Sequence, residues 1–362
     1  MAVRIPPDVR GLMRPSAAAL EPYDPAFSPA RINLSANENT YGMPAEVRAE
    51  VSEALAAVAT NRYPYPLSDE LRAELALWHG VTPGQVCVGN GGDELLFNLL
   101  LAFGGAGHAL VNCPPTFSVY RLYAELLETP VMDVPRDAET FVPDVDGLVE
   151  AARTARLVFV TSPNNPTGDL VPAGCIERLC EACPGIVLAD EAYIEFAGEG
   201  TSVEGLLAAY PNLVVLHTLS KAFCLAGARI GYVLGSPSII AALQAVRQPY
   251  SVNVLSQAAA LTVVRNREAF EPIIGRIVSE RGRLSTALAA LPDVRVWPSS
   301  ANFLCVRLPG AHEARARLRD EFSILVRDFS QAPGLADCLR ITVGMPQEND
   351  AVIDSLSVIT GR

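Results

Sequence analysis

Lys221 stands in Thr218-Leu219-Ser220-Lys221-Ala222-Phe223, just after the apolar run Asn212-Leu213-Val214-Val215-Leu216, and Arg229 follows within the same stretch. An amine at the end of a buried strand loses water, which disfavours its charged form and leaves a nucleophile for a carbonyl. Asp190 ends Ile186-Val187-Leu188-Ala189 and so carries a carboxylate into a low-dielectric site, where it needs a cation. No arginine or lysine is adjacent in sequence, so the partner is distant or belongs to a ligand; Tyr193 adds a phenol close by. Asn165 sits in Ser162-Pro163-Asn164-Asn165-Pro166-Thr167-Gly168, where two prolines restrict the backbone that aims its amide. Gly89-Asn90-Gly91-Gly92-Asp93-Glu94 lies between a strand-like run and an apolar helix, an arrangement that presents free N–H groups to an anion. It is neither G-x-G-x-x-G nor a P-loop, which argues against a dinucleotide or a nucleoside triphosphate. Each piece alone has a blander reading as a surface lysine, an ordinary turn or a helix-capping acid. Together they offer an amine, a carboxylate awaiting a cation, an amide and a phenol, and a phosphate cradle.

The elements that must position these groups form an alternating pattern. Short apolar runs at 86–89, 109–113, 157–161, 186–190, 213–218 and 230–234 predict strands. Helical patterns at 93–103, 117–127, 145–153 and 173–183 separate most of them, which is the signature of an α/β domain with a largely parallel sheet. The chemistry then falls at strand ends, where open α/β sheets bind ligands. Upstream, Pro44 opens a helix to about residue 59, and Ser68 caps another through His79, with Arg72 and Glu74 on its outer face. Downstream, helices at 237–246 and 255–264 precede a long one from 267 to 291. Strands at 294–297, 302–308, 324–327 and 338–343, with helices at 311–320 and at the end, form an α+β tail. Residues 1–33 read as an arm, 34–275 as a large domain and 276–362 as a small one, since 362 residues exceed what one core usually organises.

A net charge of −12 argues against a nucleic-acid footprint or a polybasic membrane surface. No apolar stretch approaches the ~20 residues of a membrane span, and the N-terminus lacks the apolar segment of a signal peptide, so the expected location is the cytoplasm. Of the eight cysteines, Cys87, Cys113, Cys305 and Cys338 lie in or beside apolar runs and read as small hydrophobes. Cys180 and Cys183 form a lone C-x-x-C with nothing to complete a tetrahedral set, which argues against zinc there. The four histidines, His79, His108, His217 and His312, are scattered and sit in no catalytic-looking motif.

In order and spacing, these motifs resemble the fold-type I pyridoxal-phosphate aminotransferases over nearly the whole chain. Thr218–Phe223, Ala226-Gly227-Ala228-Arg229-Ile230-Gly231-Tyr232, Ala189-Asp190-Glu191-Ala192-Tyr193-Ile194-Glu195-Phe196 and Leu339-Arg340-Ile341-Thr342-Val343-Gly344 look most like the histidinol-phosphate aminotransferases within that family. The resemblance implies pyridoxal 5'-phosphate bound through Lys221, which then serves as general acid and base, with Asp190 paired to the ring nitrogen. It implies Asn165 and Tyr193 on the ring oxygen, Phe117 stacked on the ring, and Ser220, Arg229, Gly92 and Asp93 around the phosphate. Phe117 replaces the tyrosine of many relatives, keeping the stacking and dropping a hydroxyl. Tyr63 would reach the phosphate from a partner subunit, so the family likeness implies a homodimer with shared sites. Tyr23, Asn37, Arg327 and Arg340 would bind substrate, the arginines through forks suited to carboxylate or phosphate.

The reaction so implied converts histidinol phosphate and 2-oxoglutarate to imidazole-acetol phosphate and glutamate. A broad aromatic-amino-acid aminotransferase is the alternative, because its carboxylate would leave Arg327 with less to do. A phosphothreonine decarboxylase is built similarly. The cofactor-binding half of a transcription regulator would need a basic domain ahead of Leu34, where only 33 residues precede it.

Overall fold

The computed structural model describes residues 6–20 and 28–361. Its strands are β1 (Ile32–Leu34), β2 (Val86–Asn90), β3 (Leu110–Asn112), β4 (Val131–Asp133), β5 (Leu157–Thr161), β6 (Ile186–Asp190), β7 (Leu213–Thr218), β8 (Ile230–Gly235), β9 (Arg295–Val296), β10 (Phe303–Arg307), β11 (Ile324–Asp328) and β12 (Cys338–Thr342). Seven of them form one sheet in the order β2-β8-β7-β6-β5-β3-β4, and five form a second in the order β1-β11-β12-β10-β9.

In the large sheet β4, β3, β5, β6 and β7 run parallel, and β8 alone runs antiparallel to its neighbours β7 and β2. The central strands β5, β6 and β7 are buried at every position. Such strands read as continuous apolar runs because helices cover both faces. One covering core gathers Leu95, Leu99, Tyr120 and Phe159 with Leu188 and Leu216. On the opposite face Leu148, Ile176 and Leu179 pack on Val158, Val187 and Val215.

The small sheet borrows from both ends of the chain. Its edge strand β1 pairs parallel with β11 (Ile32↔Ile324), far away in sequence, while β12 lies antiparallel between β11 and β10. The expected long helix at 267–291 instead begins as a 3-10 turn, Arg267–Phe270, and is α-helical over Glu271–Ala289. Pro272, in its first turn, is compatible with a helix start and not with a helix interior.

Two local expectations are corrected. Ser68 makes no side-chain capping bond to the helix Asp69–His79 and takes a left-handed conformation instead. Arg72 is buried rather than outward-facing, because its Nε donates to the Val86 carbonyl at 2.9 Å and its Nη2 to the Pro83 carbonyl at 2.5 Å.

Candidate active site

A cleft of about 440 Å³ opens where the C-terminal ends of β5, β6 and β7 meet the small sheet. Strand alternation decides what reaches it: Leu216 and Thr218 of β7 line the cleft, whereas His217 between them points to the other face. Lys221 follows within one turn and extends its Nζ into the cleft, where it donates to the Ala36 carbonyl at 2.9 Å and lies 5.9 Å from the Tyr193 ring. Burial, with Arg340 and then Arg229 nearby against the opposing pull of Glu38, holds this amine down to about 8. A neutral, nucleophilic fraction is therefore present near physiological pH.

Asp190 is buried at the end of β6, and burial pushes its carboxyl up to about 6. Among the described residues its neighbours are a phenol and an amide, not a cation. Tyr120 Oη donates to Oδ2 at 2.5 Å and the Ala192 N–H donates to Oδ1 at 3.1 Å, both of which favour the ionised form. Tyr120 is itself fully buried and lies 2.7 Å from Thr161 Oγ1. Tyr120 stands in no motif of the sequence. Its only signal is a helical spacing of three residues from Phe117, whose ring meets it edge-on at 5.5 Å.

Asn165 and Tyr193 reach the same space from β5 and β6, each already engaged. Asn165 Oδ1 accepts from Arg340 Nη1 at 2.7 Å, and Tyr193 Oη accepts from Asn37 Nδ2 at 3.0 Å. Asn37 is locked in turn by Thr342, whose Oγ1 donates to its Oδ1 at 3.1 Å, and by Asn302, whose Nδ2 donates to its carbonyl at 3.0 Å. Residues from the chain's beginning and end thus close the cleft over the large sheet. Arg340 adds a 2.5 Å bond from Nη2 to the Ser35 carbonyl, and Arg327 lines the same wall, its guanidinium 5.9 Å from the Phe329 ring centroid.

The anion end is built from the helix Gly92–Phe103, whose N-terminus opens on the cleft beside Ser220 and Arg229. Arg229, itself in a left-handed conformation (φ 56°), donates from Nη2 to Asp93 Oδ2 at 2.9 Å. Gly91 (φ 82°) accommodates it: a Cβ there would stand 2.5 Å from Arg229 Nη2. Among the residues named from sequence, Asn37, Gly92, Asp93, Phe117, Asn165, Asp190, Tyr193, Ser220, Lys221, Arg229, Arg327 and Arg340 all border this one cleft.

Two do not. Tyr23 lies outside the described residues. Tyr63 lies on the exterior, 82 % exposed, stacked at 4.5 Å on Tyr250. Tyr250 does not line this chain's own cleft either. Among the described residues no helix is long and apolar enough to cross a membrane.

This architecture and site are those of an aminotransferase. The family model for aminotransferases of class I and II matches residues 29–356, and the chain belongs to that family. It is 42 % identical to the histidinol-phosphate aminotransferase of Roseiflexus castenholzii, covering 98 % of this chain and all of that one. The same identity holds with the histidinol-phosphate aminotransferase of Thermococcus gammatolerans, over 95 % of this chain and 96 % of the other. Among solved structures, the histidinol-phosphate aminotransferase of Sinorhizobium meliloti in complex with pyridoxal 5'-phosphate superimposes with a TM-score of 0.87. It is 26 % identical, with 96 % of this chain and 97 % of that chain covered.

Proposed function

We propose that the cleft holds pyridoxal 5'-phosphate and moves an amino group from histidinol phosphate to 2-oxoglutarate, giving imidazole-acetol phosphate and glutamate. The single observation that carries this is the convergence of a depressed amine, Lys221, a buried carboxylate lacking a cation, Asp190, and a helix N-terminus with Arg229, in one cleft. The cofactor fits that set: its aldehyde, ring nitrogen and phosphate each meet a complementary group, and when bound it supplies an electron sink for the carbon that loses a proton.

The chain's own residues do the rest. Lys221 Nζ would hold the cofactor by its aldehyde carbon and would serve as the base that takes and returns the proton of the reacting carbon. Asp190 keeps the ring nitrogen protonated, and Tyr120 keeps Asp190 ionised by donating to Oδ2. Asn165 and Tyr193 serve the ring oxygen, and Phe117 supports the ring face. Ser220, Arg229 and the N–H groups of Gly92 and Asp93 would hold the phosphate, with the Asp93 carboxylate aligning Arg229. Asn37, Arg340 and Arg327 form the substrate wall, where two guanidinium forks suit the phosphate of one substrate and the carboxylates of the other.

Tyr63 completes the phosphate site of a second copy. Its exposure beside Tyr65 and Tyr250 supports a homodimer in which each subunit lends this hydroxyl. We further infer a boundary between a large unit and a small one within the helix Glu271–Ala289, and Tyr23 as a contributor from the N-terminal arm.

The test is a half-reaction. The cofactor-loaded protein is mixed separately with histidinol phosphate, histidine, phenylalanine and glutamate, and the cofactor absorbance is followed. Fast change with histidinol phosphate and glutamate alone is the expected result. Equal change with phenylalanine would move the protein to the aromatic aminotransferases, and no change with any donor would reject amino transfer.

A further inference from the structure

Behind the cleft, on the other side of β6 and β7, three residues distant in sequence converge. His79 ends the helix Asp69–His79, Glu204 begins the 3-10 turn Glu204–Ala208, and His217 faces away from the cleft on β7. His79 Nδ1 lies 2.7 Å from Glu204 Oε2, and His217 Nε2 lies 3.8 Å from that same oxygen. The three side chains each bring a ligand atom within 4.8 Å of the others. Glu191 brings a second carboxylate, its Oε2 3.8 Å from His217 Nε2.

We propose that His79 Nδ1, His217 Nε2 and Glu204 Oε2 form a binding site for one divalent transition metal of the zinc class, with the Glu191 carboxylate in reach as fourth ligand. The site is independent of the reaction assigned to the cleft.

The independent sign of a ligand is His217 Nε2. That atom is buried, in a residue 2 % exposed, and has no hydrogen-bond partner among the described residues. Buried polar atoms are almost always satisfied, so an orphan aimed into a cluster of donors asks for an explanation. Its separation from both carboxylate oxygens, 3.8 Å, is too long for a hydrogen bond. It is close to the ~3.4 Å that separates two ligands of a tetrahedral ion bonded at about 2.1 Å. Burial keeps the His217 imidazole neutral, which is the form that ligates.

The surroundings also match what supports ligating groups. Tyr232 Oη lies 2.9 Å from His79 Nε2, so it can accept from Nε2–H and leave Nδ1 its lone pair for the ion. In the tautomer that serves the ion the ring proton sits on Nε2, Tyr232 Oη accepts from it, and Nδ1 is left unprotonated. Ser202 Oγ and the Val203 N–H donate to the Glu191 carboxylate at 2.6 and 2.7 Å and would orient it. The contact between His79 and Glu204 must open to admit the ion. Glu204 can move, since its side chain is 38 % exposed, and that exposure is also the way in. Two imidazoles favour zinc-class ions over magnesium or calcium, and two carboxylates would balance a 2+ charge. Such an ion would tie the helix Asp69–His79 to β7 and to the segment after Asp190, acting as a clamp on the scaffold rather than on the reaction.

The experiment uses the full-length, cofactor-loaded protein after removal of metals with a chelator. It is titrated with Zn²⁺ by calorimetry and with Co²⁺ by absorption spectroscopy, and its thermal midpoint is measured with each. The proposal expects one ion per chain, a raised midpoint, and a visible Co²⁺ spectrum without the thiolate charge-transfer band that the eight cysteines would give. Affinity should fall at least about tenfold in Glu204→Gln, whose side chain is partly exposed and leaves the fold intact, and further in His217→Ala. A thiolate band, equal affinity in Glu204→Gln, or no saturable binding to the folded protein would overturn it. In the last case the orphan nitrogen is served by trapped water.

Discussion

Asp190 and Glu191 are neighbours in the chain, both are buried, and burial raises both carboxyls, to about 6 and about 7. They nevertheless look out on different regions of the molecule. The Glu191 N–H still donates to the Leu216 carbonyl at 2.9 Å, so the strand pairing persists past β6 and the two side chains leave on opposite faces. Asp190 meets a single strong donor, Tyr120, and otherwise opens on the cleft with Lys221. Glu191 meets Ser202 and Val203, with His217, Glu195 and Glu204 beyond. One region turns its carboxylate toward an open cleft and an amine, and the other is a set of imidazoles and acids closed into the scaffold. Burial alone therefore does not separate a reaction site from a supporting one; what faces the carboxylate does.

That comparison can be broken by substitution. Lys221→Ala should have the largest effect, lowering turnover by about 10⁴-fold or more while the thermal midpoint of the protein holds. Turnover surviving in that variant would remove the chemical reason for setting Asp190 apart from Glu191. The direct contrast is Asp190→Asn against Glu191→Gln, measured by kcat at saturating substrate. Losing the charge opposite the ring nitrogen should reduce kcat on the order of 10²–10³-fold. The same loss one residue later, on the other face, should leave kcat within about tenfold and show instead in the unfolding temperature. Equal losses in both would mean that the two faces act as one site.

How much of this was visible in the sequence differs between the same two regions. The cleft was legible because its parts are contiguous: Ser162–Gly168, Ala189–Tyr193 and Thr218–Phe223 each carry their chemistry within a few residues of a strand end. The expected strands at 157–161, 186–190 and 213–218 match β5, β6 and β7 residue for residue, since burial on both faces leaves an unbroken apolar run. The three-residue strands β1 and β4 are too short to show a period, and β1 is paired only through a contact with β11 nearly three hundred positions away. Tyr120 was hidden because its role depends on how a helix lies across the sheet. His79 and His217, scattered in the chain, stack with ring centroids 5.1 Å apart, brought together by the antiparallel return of β8 and the helix beside it. Convergence of that kind leaves no spacing to read.

A finer test of the cleft side is Tyr120→Phe. It leaves the fully buried ring in place and removes the bond to Asp190, a charge-assisted hydrogen bond worth roughly 1.5–3 kcal/mol. The expected fall in kcat is about ten- to a hundredfold, with the acidic limb of its pH profile moved to higher pH, because the Tyr120 hydroxyl holds the Asp190 carboxyl down. An unmoved profile would make Tyr120 a packing residue only.

The smallest expected effect belongs to the other face. Glu195 has a buried Oε2 with no hydrogen-bond partner, and burial, reinforced by Glu191 and Glu204, pushes its carboxyl from 4.5 up to about 8. Between those values the unfolded chain has released the proton and the folded one keeps it. Folding stability from this group is therefore whole below about 4.5 and declines as pH rises toward 8. Glu195→Gln keeps the neutral shape at every pH and so removes that decline. In chelator-treated protein, the thermal midpoints of the two should nearly coincide at the acid end of the window, and the variant should gain steadily toward pH 8. Parallel curves across the window would show that Glu195 titrates normally. Divergence would show that the face turned away from the cleft keeps Glu195 protonated, while Asp190, with Tyr120 beside it and a cation to meet, ionises.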